Sequence, residues 1–254
     1  MVDPSAMTDR ADFANIVRLY RASFARCWLP SALLALTWAV GSSALERRIG
    51  SSVDTNSLED LLKGAEQLQR LVASGFFWGL LAAVGSISLL LYCIIVARVY
   101  SVVGANALAE SEFAAALRSW PGALAAATVY VAATTIGALL LIVPGAYLAG
   151  VWQLWLVTLV VERLGPWRAL RRSAQLVAGA WWSISTLVTI VAIAAMLPPM
   201  LLDALLGLVH ARYVTTIAHI ALEATLAPVV PVVLVVLYRD RLRVIDAASK
   251  RSGA

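Results

Sequence analysis

The chain has little charge. Asp, Glu, Lys and Arg make up 14% of its 254 residues, against 61% for the apolar types. A water-soluble domain carries about 25% charged and about 45–50% apolar residues, so this chain lacks the polar surface that clothes a globule in water. Its solvent is lipid, which excludes a cytosolic enzyme, a disordered chain and a nucleic-acid binder; the last needs Lys and Arg gathered on a solvated face of a soluble domain. Cysteine is scarce too. Cys27 and Cys93 each stand beside or inside an apolar run, which excludes a disulfide framework and leaves two buried thiols acting as small hydrophobes. There are two histidines, and no Gly-rich nucleotide loop, HExxH, GxSxG or paired-Cys spacing. No catalytic residue, metal or other cofactor is therefore expected, and Asp203 and His210 have no ligand spacing that points to a metal. No segment outside the apolar runs exceeds about 30 residues, too short for a separate soluble catalytic domain within this chain.

What the chain has is long charge-free runs. They are Cys27–Leu45, Leu71–Ala97, Ser119–Val161, Ser173–Leu202 and Tyr213–Tyr238, the last interrupted only by Glu223. A charged residue at mid-bilayer costs about 2.5–3.5 kcal/mol on insertion scales, so these runs mark where the chain can cross. The third is 43 residues long, about twice the ~20 that one helix needs. It has to fold back, and Pro144-Gly145 near its middle supplies a stop and a tight turn. The expected fold is all-α and polytopic, with spans at Trp28–Leu45, Phe76–Ala97, Pro121–Ile142, Ala146–Val161, Trp181–Leu197 and Thr216–Tyr238.

Six spans put both termini on one side. Fifteen of the 20 basic residues fall on that side; Arg47, Arg48, Lys63, Arg70 and Arg212 fall on the other. By the positive-inside rule the termini are cytoplasmic, and the net charge of +5 reports orientation rather than a polyanionic partner. Trp28, Trp120, Trp167, Trp181 and Trp182 stand at the cytoplasmic boundaries, where an amphipathic ring favours the headgroup layer. The polar lead of more than 25 residues before Trp28 is too long for the n-region of a cleaved signal peptide.

Three regions follow: residues 1–27, a cytoplasmic basic amphipathic helix; 28–238, the membrane domain; and 239–254, a cytoplasmic basic tail. In the first, Phe13, Ile16, Val17, Tyr20, Phe24 and Cys27 recur at helical spacing, as befits a helix lying in the interface. Similar segments precede the third span (Ser111–Trp120) and the fifth. The last opens with Gly165-Pro166, a good helix start, and places Trp167, Leu170, Ala174 and Val177 on one face. Arg21-Ala22-Ser23, Arg118-Ser119 and Arg172-Ser173 recur at similar places but with no fixed period. On the far side, Glu46–Arg70 has room for a short helix carrying Leu58, Leu61, Leu62 and Leu68. Pro198-Pro199 is expected to end the fifth helix, leaving Met200–Val209 as an interfacial stretch.

Between Ile142 and Trp182 the chain reads as an apolar run, Pro-Gly, an apolar helix ending in Glu, a Gly, an Ala-Leu-x-Arg-Ser element, and Gly with Trp before the next span. These fall on Pro144, Gly145, Tyr147, Glu162, Gly165, Ala169, Leu170, Arg172, Ser173, Leu176, Gly179 and Trp182. The pattern resembles the membrane domain attached to some glycerophosphodiester phosphodiesterases, which also stands alone in uncharacterised bacterial inner-membrane proteins. In that family the chemistry belongs to an appended soluble barrel with metal-binding acids and catalytic histidines. The resemblance therefore implies the membrane module and not the enzyme.

Among candidate site residues, Glu223 is the one acid lodged between apolar stretches of a span, and an intramembrane acid is a functional candidate by default. His219 stands four residues earlier on the same helix face, so the two form either a proton or cation site or a structural hydrogen-bonded pair. Glu223 lies about 10 Å along the span if it begins near Thr216 and about 6 Å if it begins near His219. Pro228 and Pro231 kink the same helix. Glu162 and Arg172 can pair across the Gly165-Pro166 turn, or the arginines there only set orientation. Arg171, Arg172 and Ser173 are alternatively a cradle for a lipid phosphate. Gln153 between Trp152 and Trp155 suits an interhelical hydrogen bond. The expected partners are anionic lipids of the cytoplasmic leaflet, with a second copy or another membrane protein as further candidates and no nucleic acid. The expected function is a non-enzymatic, lipid-contacting scaffold or accessory module in envelope or lipid homeostasis; a small transporter using Glu223 and His219 is the other class.

Overall fold

The computed structural model describes residues 13–49, 66, 69–103, 111–206 and 212–252. Among these residues nine helices follow in order: α1 (Phe13–Ile49), α2 (Gly75–Val103), α3 (Glu112–Leu140), α4 (Ile142–Val151), α5 (Trp155–Val161), α6 (Pro166–Val177), α7 (Trp181–Leu206), α8 (Arg212–Leu226) and α9 (Val229–Ser252). Six stretches among them are long and apolar enough to cross a membrane. The protein is an all-α, multi-pass membrane protein. Four spans are single helices, while α4 with α5 and α8 with α9 make the other two.

Each span runs past at least one of the limits that hydropathy suggests, because a helix satisfies its backbone equally well in lipid and in the headgroup layer. The N-terminal segment is thus no separate interfacial helix: α1 passes without interruption from Phe13 through Pro30 to Ile49. Proline has no N–H, so Pro30 leaves the Arg26 carbonyl without its helical donor, and Arg98 of α2 donates to that oxygen instead. Ser111–Trp120 likewise belongs to α3, with Ser111 accepting from the Ala114 N–H as its N-cap. Pro198 and Pro199 sit inside α7, which continues to Leu206. Residues 239–252, expected as a tail, prolong α9. The leucine-rich segment around Leu58, Leu61, Leu62 and Leu68, the side chain of Asp203, and His210 lie outside the described residues.

The hairpin joining the third and fourth spans turns at Leu141, not at Pro144-Gly145. Leu141 is extended (φ −162°, ψ 134°) and donates its N–H to the Gly137 carbonyl at 3.0 Å. Pro144 sits in the first turn of α4, where a missing N–H costs nothing because the first four have no helical acceptor. Gly145 serves packing. A Cβ there would lie 2.6 Å from the Ala138 nitrogen, and one on Gly137 would lie 3.0 Å from the Gly145 Cα, so the two backbones meet through glycine.

The core gathers on α2, α5, α6 and α9, where Ile95, Val99, Val157, Leu176, Val232 and Tyr238 are buried together with both cysteines. α6 is amphipathic as expected, but its buried face is Ala169, Leu170, Ser173, Leu176 and Val177. Trp167 points outward, because the small residues Ala169 and Ser173 allow the close approach to α5 and a Trp would not. Trp28 and Trp182 also face outward, whereas Trp120 and Trp181 turn inward and donate to the Ser86 and Tyr147 carbonyls.

Gly145→Leu is expected to lower thermal stability in detergent by about 1–3 kcal/mol, the usual cost of overpacking. Gly79→Leu, where nothing lies within 4 Å of the new Cβ, is expected to leave the melting temperature unchanged. Equal melting of the two variants would mean that the α3–α4 contact does not hold the hairpin.

Candidate functional site

Polar groups concentrate in two places. The first is the end of the bundle that carries most of the arginines. The Glu162 carboxylate, at the C-terminus of α5, receives Arg172 Nε at 3.2 Å and 3.1 Å on its two oxygens. Tyr238 of α9 donates its hydroxyl to Oε1 at 2.9 Å. The expected Glu162–Arg172 pair therefore forms, and Tyr238 adds a third element to it. Arg241, 8% exposed, reaches the C-terminus of α6, donating to the Leu176 carbonyl at 2.7 Å and the Ala178 carbonyl at 2.9 Å. Carbonyls at a helix C-terminus carry partial negative charge, which a guanidinium complements. Arg239 donates to the Val103 carbonyl at the end of α2. Nearby, Glu112 binds Arg98 at 3.4 Å and accepts from Ser101 at 2.5 Å.

Ser173 does something else. The fourth span breaks between α4 and α5, where Gln153 N and Trp155 N turn back to the Gly150 and Trp152 carbonyls in tight turns. The Val151 carbonyl and the Leu154 N–H are thereby left without helical partners. Ser173, fully buried, supplies both: its hydroxyl donates to Val151 O at 3.1 Å and accepts from Leu154 N at 3.1 Å. One turn on, Thr158 donates to the Ala169 carbonyl at 3.1 Å. The structure thus does not bring Arg171, Arg172 and Ser173 together as a phosphate cradle. Arg171 is exposed, Arg172 is held by Glu162 and Ser173 is turned into the bundle. Gln153 makes no interhelical bond through its carbonyl: Oε1 is buried without a partner.

The second place is a cavity of about 580 Å³ among α1, α2, α7, α8 and α9. Leu34, Trp38, Met196, Pro199, Met200 and Val230 supply apolar wall, and His219, Glu223 and Tyr92 are its polar lining. His219 Nε2 and Glu223 Oε1 lie 3.0 Å apart, each side chain about one-third exposed. The apolar span begins at Thr216, so Glu223 sits seven residues, about 10 Å, along it. Trp38, Met196 and Met200 are also exposed, by 51%, 68% and 67%, so the cavity is open to the outside of the bundle. Its floor is the break at Ala227–Pro228 that separates α8 from α9. There Pro228 deprives the Ala224 carbonyl of a donor, and the adjacent Thr225 carbonyl accepts the Tyr20 hydroxyl of α1 at 2.6 Å.

Sequence reading brought out His219, Glu223, Glu162 and Arg172; it missed Tyr238, Arg241, Tyr20 and the cavity. The aromatic ending the last apolar run, with an arginine three residues on, was the available signal for Tyr238 and Arg241. Nothing marked Tyr20, whose partner lies 205 residues away.

Ser173→Ala leaves a buried N–H and a buried carbonyl unmatched, and is expected to cost about 1–3 kcal/mol of stability. Ser183→Ala, at an exposed position on α7, is expected to cost nothing. A double-mutant cycle with Glu162→Gln and Tyr238→Phe is expected to show coupling of about 1 kcal/mol; additive losses would mean that the hydroxyl–carboxylate bond contributes nothing. No protein-family model, curated protein or solved structure matches this chain, so its own geometry is what bears on function.

Proposed function

We propose that this protein is a non-enzymatic, lipid-contacting module of a bacterial inner membrane that holds the apolar tail of an amphiphile in the His219–Glu223 cavity. The observation that carries the reading is the make-up of that cavity. It is apolar wall around one carboxylate–imidazole pair, it is open to the outside of the bundle, and its 580 Å³ lies within the roughly 300–1,000 Å³ of sites that bury most of a small organic ligand. An acyl chain gains about 0.8 kcal/mol per buried CH₂ over water but little over lipid, so the polar pair has to supply selectivity. Glu223 accepts from a donor or cationic head, and His219 orients the carboxylate.

The orientation belongs to the same proposal. The arginines tied to Glu162, Arg26 and Val103 share one end of the bundle, and that end and both termini face the cytoplasm. Anionic lipid gathers around it, and a second copy or another membrane protein docks on the apolar flanks. A second reading, a small transporter, is favoured by the break at Ala227–Pro228 beside Glu223, since interrupted spans at a charged residue are how many transporters build ion sites.

Native mass spectrometry from a mild detergent tests the first reading. Wild type is expected to retain a lipid that Ala195→Trp, which fills the cavity, releases; Ile190→Trp, on the outer surface, is expected to keep it. Equal retention by all three overturns the reading. Proteoliposome flux abolished by Glu223→Gln would support the transporter instead, and flux that survives the change would remove it.

A further inference from the structure

Helix α6 is 12 residues long, and at about 100° per residue its side chains fall into two arcs. Ala169, Leu170, Ser173, Leu176 and Val177 take up about 120° of the wheel, and all five are buried. Trp167, Arg168, Arg171 and Gln175 take up about 100° on the opposite side, and all four are exposed. The inner arc is spent on packing against the bundle and on repairing the break in the fourth span. The outer arc has no part in either.

That outer arc carries charge of one sign. The sequence has no acid between Glu162 and Asp203, and Glu162 is taken up by Arg172 and Tyr238. Among the described residues no hydrogen bond or ion pair holds Arg168 or Arg171. They stand three residues apart on one helix, where like charges are neighbours and repel. An anion laid over the arc removes that cost. Trp167, one turn before Arg171, is 67% exposed. Trp28 and Trp182 are likewise exposed, by 50% and 75%, on α1 and α7. Trp28 lies two residues beyond the Arg26 carbonyl that Arg98 binds, and Trp182 starts the helix that follows α6, so the three indoles belong to the arginine-rich end. An outward indole at the end of a membrane bundle is suited to the headgroup layer, where its ring meets acyl carbon and its N–H meets polar groups.

We propose that the outward arc of α6 is the surface through which this protein holds anionic lipid, with Arg168 and Arg171 on headgroup phosphates and Trp167 setting their depth. Guanidinium groups match phosphate oxygens in charge and in fork geometry. The indoles decide for the headgroup layer over a soluble acidic partner, which would meet the arginines in water and leave the exposed rings without a complement. The lipid contact expected at Arg171, Arg172 and Ser173 thereby moves to residues that share a helix face. The inference deepens the proposed contact with anionic lipid and rests on that reading; it does not depend on the His219–Glu223 cavity.

The test uses the full chain in nanodiscs of equal phosphatidylglycerol and phosphatidylcholine with the same chains, the lipids that stay bound being counted by native mass spectrometry. Wild type is expected to keep phosphatidylglycerol over phosphatidylcholine by about 10- to 30-fold. Arg168→Gln with Arg171→Gln is expected to remove most of that preference at an unchanged melting temperature, because neither side chain has a bond in the bundle to lose. Arg243→Gln with Lys250→Gln makes the same change of charge at exposed positions on α9 and is expected to keep the preference. Equal loss in the two double variants overturns the α6 surface while anionic lipid at this end of the bundle stands; no preference in wild type overturns both. A second readout does not depend on charge. Cys27 and Cys93 are buried, so Gln175→Cys takes an environment-sensitive dye on the outward arc alone. In liposomes the dye is expected to emit as in the headgroup layer. Emission as in water overturns the proposal and gives the arc to a soluble partner.

Discussion

The structure depends on one constraint: inside a bilayer no water replaces a lost backbone hydrogen bond, so each N–H and C=O released by a helix break has to find a partner within the protein. The chain has nine prolines and two interrupted spans; at two of the resulting defects the replacement is visible, and beside a third an interhelical bond forms. Arg98 takes the Arg26 carbonyl that Pro30 frees. Ser173 takes both groups left open between α4 and α5. Beside the break before α9, Tyr20 bonds the Thr225 carbonyl, next to the Ala224 carbonyl that Pro228 frees. In every case the partner comes from a different helix. A local defect is thereby turned into an interhelical bond, and those bonds tie α1 to α2, α6 to the fourth span, and α1 to α8. In water the same groups would hydrogen-bond solvent and leave the helices unconnected.

The charged end follows the same logic with larger energies. Glu162 is half-buried beside two arginine-rich segments, and a carboxylate so placed costs free energy unless it is paired and hydrogen-bonded. Arg172 and Tyr238 meet that need from opposite sides of the chain, which clamps α5, α6 and α9. Arg241 then spends its donors on the C-terminal carbonyls of α6. Of the basic excess, Arg98, Arg172, Arg239 and Arg241 each have a bond inside the bundle. Under the proposed orientation, the residues that set it also serve packing.

How much was legible in the sequence follows from the range of each interaction. The six spans could be read because the cost of a charge in lipid is paid residue by residue, so a charge-free run is a local signal. The Glu162–Arg172 pair and the His219–Glu223 pair could be read because ten and four residues of known local structure separate their members. The turn at Leu141 could not. Pro144-Gly145 carries the composition of a turn, yet the same residues fit the first turn of a helix and a glycine contact, and only the neighbour Ala138 distinguishes the two. The proline pair in α7 misled for a related reason: propensities measured in water overstate the breaking power of proline where lipid leaves the remaining helix no alternative. The phosphate cradle at Arg171–Ser173 was a reading of adjacency along the chain, whereas a helix sends consecutive side chains about 100° apart and so assigned those three to solvent, to Glu162 and to the core.

That last point also explains where the cavities lie. Residues at a helix break or turn are released from helical spacing, so groups distant on a helical wheel can converge there. Arg163 at the end of α5, Gly165 at the start of α6 and Arg118 on α3 share one cavity because the chain reverses between them. His219 and Glu223 keep helical spacing, but their cavity is closed below by the Ala227–Pro228 break, which turns the axis and opens space that a straight helix would fill. The groups that stabilise this membrane protein are those that repair its breaks. The largest open space lies beside one of those breaks: an apolar cavity lined by a single carboxylate–imidazole pair.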